Sequence, residues 1–324
     1  KWQIAATATD ANRYAIKLAR AVTARPRVLV FDGCYHGTVD DVMVALDGDR
    51  TIARPGLVGQ IHDLRRSAVS VPFNDLLAVE QALAKGDIAA ILAEPVMTNS
   101  CMVLPDPGFL DALQRLARDH DTLLILDETH TQSTGPGGYG RVHGLQPDML
   151  VVGKCVAGGV ATAVWGVTAT VAERFAAYEA NRPEGHSGMG TTLSGNPLQV
   201  AALVATLEEV ATADAYARMN RRAGRLARGL QAAIDRRKAP WHVARVGARV
   251  EFICAPGPLK NGAAAAAAHH PEVERAVHIA LLNRGSLIAP FHNMMLVSPV
   301  TKKLQIDRLI AAFDEVLGDL FARG

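Results

Sequence analysis

The sequence predicts an α/β fold: a mostly parallel sheet with helices on both faces, followed by a smaller C-terminal α+β unit. Three observations predict it. Short unbroken apolar runs alternate with helical patterns, as strands buried on both faces do. Glycines and charged residues stand directly after those runs, where ligands meet such sheets. The chain has 324 residues, 49% of them hydrophobic and 20% charged, so it is too apolar for disorder and long enough for about two domains.

The elements follow in order. Thr7 and Thr9-Asp10 form a cap signal, and Ala11, Tyr14, Ala15, Leu18, Ala21 and Val22 keep helical spacing; the chain is expected to open on this helix, with no strand before it. Buried strands are expected at residues 28–31, 89–93, 123–126, 149–152 and 164–167, with helices at 75–84 and 107–120. Residues 155–172 are uncharged but rich in Gly, Ala and Thr, which reads as strand plus loop rather than a membrane span. Residues 197–236 read as helical. The remainder reads as strand 249–254, helix 272–284, strand 294–297 and a closing helix from Asp307, with the alanine run 263–268 as a loop. This divides the chain into a large domain, 1–212, and a small domain, 213–324.

Composition excludes several function classes. Lys and Arg number 34 against 32 Asp and Glu, for a net +2, and aromatics are 5%; neither a basic field nor stacking platforms for nucleic acid are present. The four cysteines form no C-x-x-C pair, which fits reduced thiols in a cytoplasmic protein without a secretory signal. Gly135 to Gly140 match G-x-G-x-x-G, but no acidic residue lies about twenty positions on; the segment reads as a flexible loop at a pocket mouth.

The strand ends carry the chemistry. Gly33-Cys34-Tyr35-His36-Gly37 follows the first run, Glu94-Pro95 and then Asn99 the second, Asp127-Glu128-Thr129-His130 the third, and Gly153-Lys154 the fourth. Ending a buried strand on a charge is costly unless the charge is paired. Pyridoxal 5′-phosphate uses this whole set: a lysine amine for its aldehyde, a carboxylate to keep its ring nitrogen protonated, an aromatic against the ring and a helix N-terminus for the phosphate. Lys154, Asp127, Tyr35 and the Ala8-Thr9 turn can supply these in that order.

In these motifs, together with Thr7-Ala8-Thr9-Asp10-Ala11, Gly158-Gly159 and Thr192-Leu193-Ser194-Gly195-Asn196-Pro197, the chain resembles the class III (fold type I) PLP-dependent aminotransferases. The likeness is greatest to the glutamate-1-semialdehyde aminomutase-like branch. The resemblance implies a fold type I large domain and an α+β small domain. It implies Lys154 as the tethering lysine and proton-moving base, and Asp127 as partner of the ring nitrogen. Tyr35 and Thr129 would pack on the two ring faces, and Ala8 and Thr9 would bind phosphate. Glu94, Asn99, His130 and His36 would lie around the cofactor. Thr192 would complete a neighbouring subunit's phosphate site, making the protein a homodimer with shared active sites. The implied partners are a small-molecule amine donor and a keto acid acceptor, with no nucleic acid and no membrane. The family usually has Gly at the position of Ala8, Val at Thr129, and Met or Gln at His130, and its N-terminal segment has no counterpart here. The glutamate that aminomutases carry in the C-terminal domain has no match near His292-Asn293, which favours ping-pong transamination over the aminomutase reaction. Arg141, Arg182 and Arg249 are the arginines considered for a substrate carboxylate. The rival reading is a metal-dependent enzyme using Asp127, Glu128 and His130, against which no ligand spacing is present.

Overall fold

The computed structural model describes residues 1–289 and 293–321. One seven-stranded sheet carries the first two thirds of the chain. Its strands are β1 (Trp2–Ala5), β2 (Arg27–Phe31), β5 (Ala68–Val71), β6 (Ile88–Ala93), β7 (Leu123–Asp127), β8 (Met149–Val152) and β9 (Ala163–Val167), in the order β1-β9-β8-β7-β6-β2-β5. A separate hairpin pairs β3 (Val44–Asp47) with β4 (Arg50–Ala53). The helices of this region are α1 (Ala8–Thr23), α2 (Leu76–Leu83), α3 (Phe109–Asp119), the short α4 (Gly138–Val142), α5 (Ala169–Glu179) and α6 (Pro197–Ala205).

The five strands expected from apolar runs are all present, and β6 and β7 are buried along their whole length. Pairing from β5 through β2, β6 and β7 to β8 is parallel, so the carboxyl ends of these strands share one edge. The sheet is completed differently from expectation. β9 runs antiparallel to β8, and Trp2–Ala5 form β1, antiparallel to β9. The residues just before β9 therefore lie at the same edge as the carboxyl ends of the parallel strands. Trp165 of β9 packs near Tyr14 of α1, with ring centroids 6.4 Å apart.

The second core lies under α7 (Ala213–Arg237), α9 (Pro271–Asn283) and α10 (Lys303–Phe321), packed on the antiparallel sheet β10 (His242–Val246), β11 (Arg249–Ile253) and β12 (Met294–Leu296). Period-2 alternation sorts β11 cleanly. Val250 and Phe252 enter this core, while Ile253 joins the core of the large sheet. Arg249 and Glu251 share the face of Ile253 and are buried all the same.

Three further expectations change. The alanine run is helix α8 (Gly262–Ala267), because Asn261 caps it, accepting from Ala264 N–H at 3.0 Å, and alanine is the best helix former. The glycine-rich segment at 135–140 is not a loop at the pocket mouth. Gly138, Tyr139 and Gly140 are buried in α4, where the amides of Tyr139 and Gly140 donate to Glu128 at 2.5 and 2.8 Å. The helical stretch 197–236 is interrupted by a π-helical turn at Thr206–Val210, and Thr212 caps a new helix. His292 lies outside the described residues. Among the described residues, no helix is long and apolar enough to cross a membrane.

Candidate functional site

A cavity of about 390 Å³ opens where the carboxyl ends of the parallel strands meet the N-terminus of α1. It gathers the predicted residues from five chain segments: Ala8, Thr9, Tyr35, His36, Glu94, Asn99, Asp127, Thr129, His130 and Lys154. Thr192 does not line it; it is exposed in the turn before α6.

Asp127, the last residue of β7, is 5% exposed. Its Oδ2 accepts from Asn12 Nδ2 at 2.8 Å and lies 3.0 Å from His36 Nδ1, and its Oδ1 accepts from Thr129 N–H at 3.1 Å. Burial alone would raise the carboxyl's pKa; the His36 ring and these donors outweigh it, so the pKa is lowered and Asp127 is an anion. Burial likewise works against a charged His36, but the Cys34 sulfur and the Asp127 carboxylate override it, and the imidazole is held well above its usual value. Asn12 links the pair further, donating to the carbonyl of His36 as well.

A second network stands beside the first. Glu94, just past β6, accepts from Tyr35 N–H at 3.1 Å, Thr98 N–H at 3.2 Å and Thr98 Oγ1 at 2.7 Å, and Thr98 Oγ1 also meets His130 Nδ1. Burial raises the Glu94 carboxyl's pKa. Tyr35 is 40% exposed, so its ring faces open space at the cavity.

Lys154 follows β8 in a tight turn. Its backbone is left-handed, φ 51°, a conformation that costs a non-glycine residue about 1–2 kcal/mol. Gln132 holds the turn by donating from Nε2 to the carbonyls of Gly153 at 2.7 Å and Thr129 at 3.0 Å. Burial lowers the lysine's pKa, partly offset by Asp127. Gly153 must be a glycine for packing: a Cβ there would lie 2.8 Å from Ala8 Cβ. Gly37, φ +79°, is required too, since a Cβ would fall 2.1 Å from Thr9 Oγ1.

The opposite wall is the start of α1. Thr7 caps the helix by accepting from Asp10 N–H at 3.1 Å, and Thr9 Oγ1 accepts from Thr38 N–H at 3.3 Å. The first-turn amides of Ala8 and Thr9 have no intrahelical acceptor and sit at the positive end of the helix dipole. Thr129 Oγ1 and Thr162 Oγ1 are buried without a hydrogen-bond partner, and both residues line the cavity.

Sequence reasoning missed Asn12, Thr98, Gln132 and Thr162. Asn12 was legible as a polar residue on the apolar stripe of α1; the others carry no local signal. The metal reading fails on geometry. Glu128 turns away from Asp127 to the amides of α4, and among the described residues no three His, Cys, Asp or Glu side chains are placed to hold an ion. Of the three arginines, Arg249 is 5% exposed and donates from Nε to the carbonyl of His130 at 2.9 Å. Burial brings its pKa down to about 10.

The aminotransferase class-III family matches residues 1–317. A glutamate-1-semialdehyde 2,1-aminomutase from Desulforudis audaxviator is 35% identical over 320 residues, 97% of this chain and 72% of the relative. The crystal structure of a glutamate-1-semialdehyde-aminomutase from Pseudomonas aeruginosa PAO1 superimposes with a TM-score of 0.95 at 44% identity, covering 99% of this chain and 72% of that one. A variant of it was crystallised in complex with PMP. A β-phenylalanine aminotransferase from Variovorax paradoxus superimposes with a TM-score of 0.86 at 25% identity, covering 100% of this chain and 71% of that one.

Proposed function

Because the chain belongs to the class III aminotransferase family, we propose that it moves an amino group with pyridoxal 5′-phosphate, exchanging it within one substrate as glutamate-1-semialdehyde aminomutases do. The observation that carries the coenzyme assignment is a buried, ionised carboxylate at Asp127 facing the same cavity as a lysine of lowered pKa at Lys154. The orphaned hydroxyls of Thr129 and Thr162 and the uncovered amides of α1 fit a polar ring bearing a phosphate. When bound, this coenzyme supplies an aldehyde for the amine and a ring that draws electron density from the amine-bearing carbon.

The chain's own residues do the rest. Asp127, kept charged by His36, Asn12 and Thr129, would hold a proton on the ring nitrogen. Lys154 Nζ would tether the coenzyme and, when free of it, would serve as the base that moves the proton at the substrate's amine-bearing carbon. Its lowered pKa keeps more of it neutral for that task. Tyr35 and Thr129 would pack on the two ring faces, and Ala8 and Thr9 would bind the phosphate. Glu94, Asn99 and His130 would orient the ring oxygen, with Thr98 tying Glu94 to His130. Thr192, exposed here, would reach the phosphate site of a second copy, which makes the working unit a homodimer.

The aminomutase reading has the support of the relatives, against the sequence-based preference for ping-pong transfer between two substrates. That preference keeps second place on the likeness to the β-phenylalanine aminotransferase. One experiment separates them. Glutamate-1-semialdehyde supplied alone to the coenzyme-loaded protein should isomerise at the amino group; conversion only with an added donor and acceptor pair would support ping-pong transfer instead. No spectral response of the coenzyme to any amine would overturn both.

A further inference from the structure

The cavity at the strand ends holds a buried hydroxyl that no group of the protein engages. Thr162, just before β9, lines this cavity and is 3% exposed, and its Oγ1 has no hydrogen-bond partner. Burying an unpaired hydroxyl is costly, and valine would fill the same space without that cost. The fold alone therefore does not account for threonine. Its place is specific. Pairing of β1 with β9 ends on Ala5 opposite Ala163, so Thr162 comes in beside Ala6 and the first turn of α1, and residues 6–9 line the same cavity. The segment leading to it is held by Gln199, whose Nε2 donates to the carbonyl of Ala161 at 2.8 Å. The other orphaned hydroxyl of the cavity, on Thr129, stands elsewhere, beside the Asp127 carboxylate that accepts from the Thr129 N–H.

We propose that Thr162 binds the coenzyme's phosphate, its Oγ1–H donating to a phosphate oxygen beside the uncovered amides of Ala8 and Thr9. The placement rests on the coenzyme reading of this cavity. The N-terminus of α1 attracts an anion through its dipole and those amides. Among the described residues lining the cavity, Lys154 is the only lysine or arginine. The coenzyme reading gives its amine to the aldehyde, so neutral donors are left to hold the phosphate. Thr162 is suited to that task. Its hydroxyl is already out of water in the free protein, so a bond to phosphate breaks no bond within the protein and orders no mobile side chain.

The test compares pyridoxal 5′-phosphate with pyridoxal, which carries the same aldehyde and ring without the phosphate. Each is titrated into the coenzyme-free full chain and followed by absorbance. Thr162→Val should weaken binding of pyridoxal 5′-phosphate about 10- to 100-fold, the range expected for loss of one hydrogen bond to a charged group, and should leave pyridoxal binding unchanged. Thr162→Ser, which keeps the hydroxyl, should recover most of the affinity. Without coenzyme, Thr162→Val should melt no lower than wild type, because it buries no unpaired hydroxyl. A lower melting temperature would show the hydroxyl to be paired within the protein and would overturn the proposal. So would equal affinity of wild type and Thr162→Val for pyridoxal 5′-phosphate, or an equal loss for both ligands. A wild type that binds neither ligand would overturn the coenzyme reading as well, which distinguishes that failure from failure of Thr162 alone.

Discussion

Replacing Asp127 by Asn tests the centre of the site without changing its shape. Asp127 accepts three hydrogen bonds, from Asn12, His36 and the amide of Thr129. An asparagine can keep its oxygen toward Asn12 and His36, but its amide group then faces the Thr129 N–H, donor against donor. One buried donor left unpaired costs about 1–3 kcal/mol, and the charge-assisted bond to His36 weakens by about 1 kcal/mol more. The expected loss is about 2–4 kcal/mol, read as a lower urea midpoint at unchanged slope. The pH dependence carries its own sign. The folded pKa of Asp127 is lowered, so its contribution is present above about pH 3.9 and is lost as pH falls through the folded value. That of His36 is raised, so its contribution is complete below about pH 6.5 and is lost as pH rises through the folded value. The gap between wild type and Asp127→Asn should be full near pH 6 and narrower at pH 9. A gap under about 0.5 kcal/mol at pH 6, within the usual range of inconsequential substitutions, or one that widens toward pH 9, would refute the reasoning.

Lys154→Ala should cut turnover by at least about 10²- to 10⁴-fold, and borohydride treatment followed by peptide mapping should find the coenzyme label on residue 154 of wild type alone. Gly153→Ala drives a methyl into Ala8; it should cost about 1–3 kcal/mol and weaken coenzyme binding, measured by denaturation and by absorbance titration. Thr98→Val removes the hydroxyl shared by Glu94 and His130; with one of the buried carboxyl's donors lost, stability should fall by about 0.5–1.5 kcal/mol, and a variant as stable as wild type would show the link to be idle. If Thr192 serves a second copy, Thr192→Ala should lower coenzyme affinity while light scattering still reports a dimer, and a monomer active in the same measurement would exclude the shared site.

The parallel core was legible because β2, β6, β7 and β8 are unbroken apolar runs, and such runs have little else to be. β1 was not: Trp2–Ala5 is four residues with no alternation, and it is a strand only because β9 offers it an edge. The alanine run illustrates a local cap deciding structure, since Asn261 lies just outside the low-complexity stretch. Asp127 and Lys154 were readable from their position after strands, whereas the network that tunes them comes from residues distant in sequence, Asn12 by 115 positions. Glu128 follows Asp127 directly in the sequence; alternation sends it to the other side, where α4 takes it up. Glu251 carried a signal of its own, a carboxylate between the apolar Val250 and Phe252.

The left-handed turn at Lys154 places stability and chemistry in opposition at one codon. Glycine would relax there without penalty, so Lys154→Gly should melt higher than Lys154→Ala. A screen that rewards heat resistance alone would therefore favour loss of the amine, and thermostable descendants of this chain need to be selected on turnover in every round.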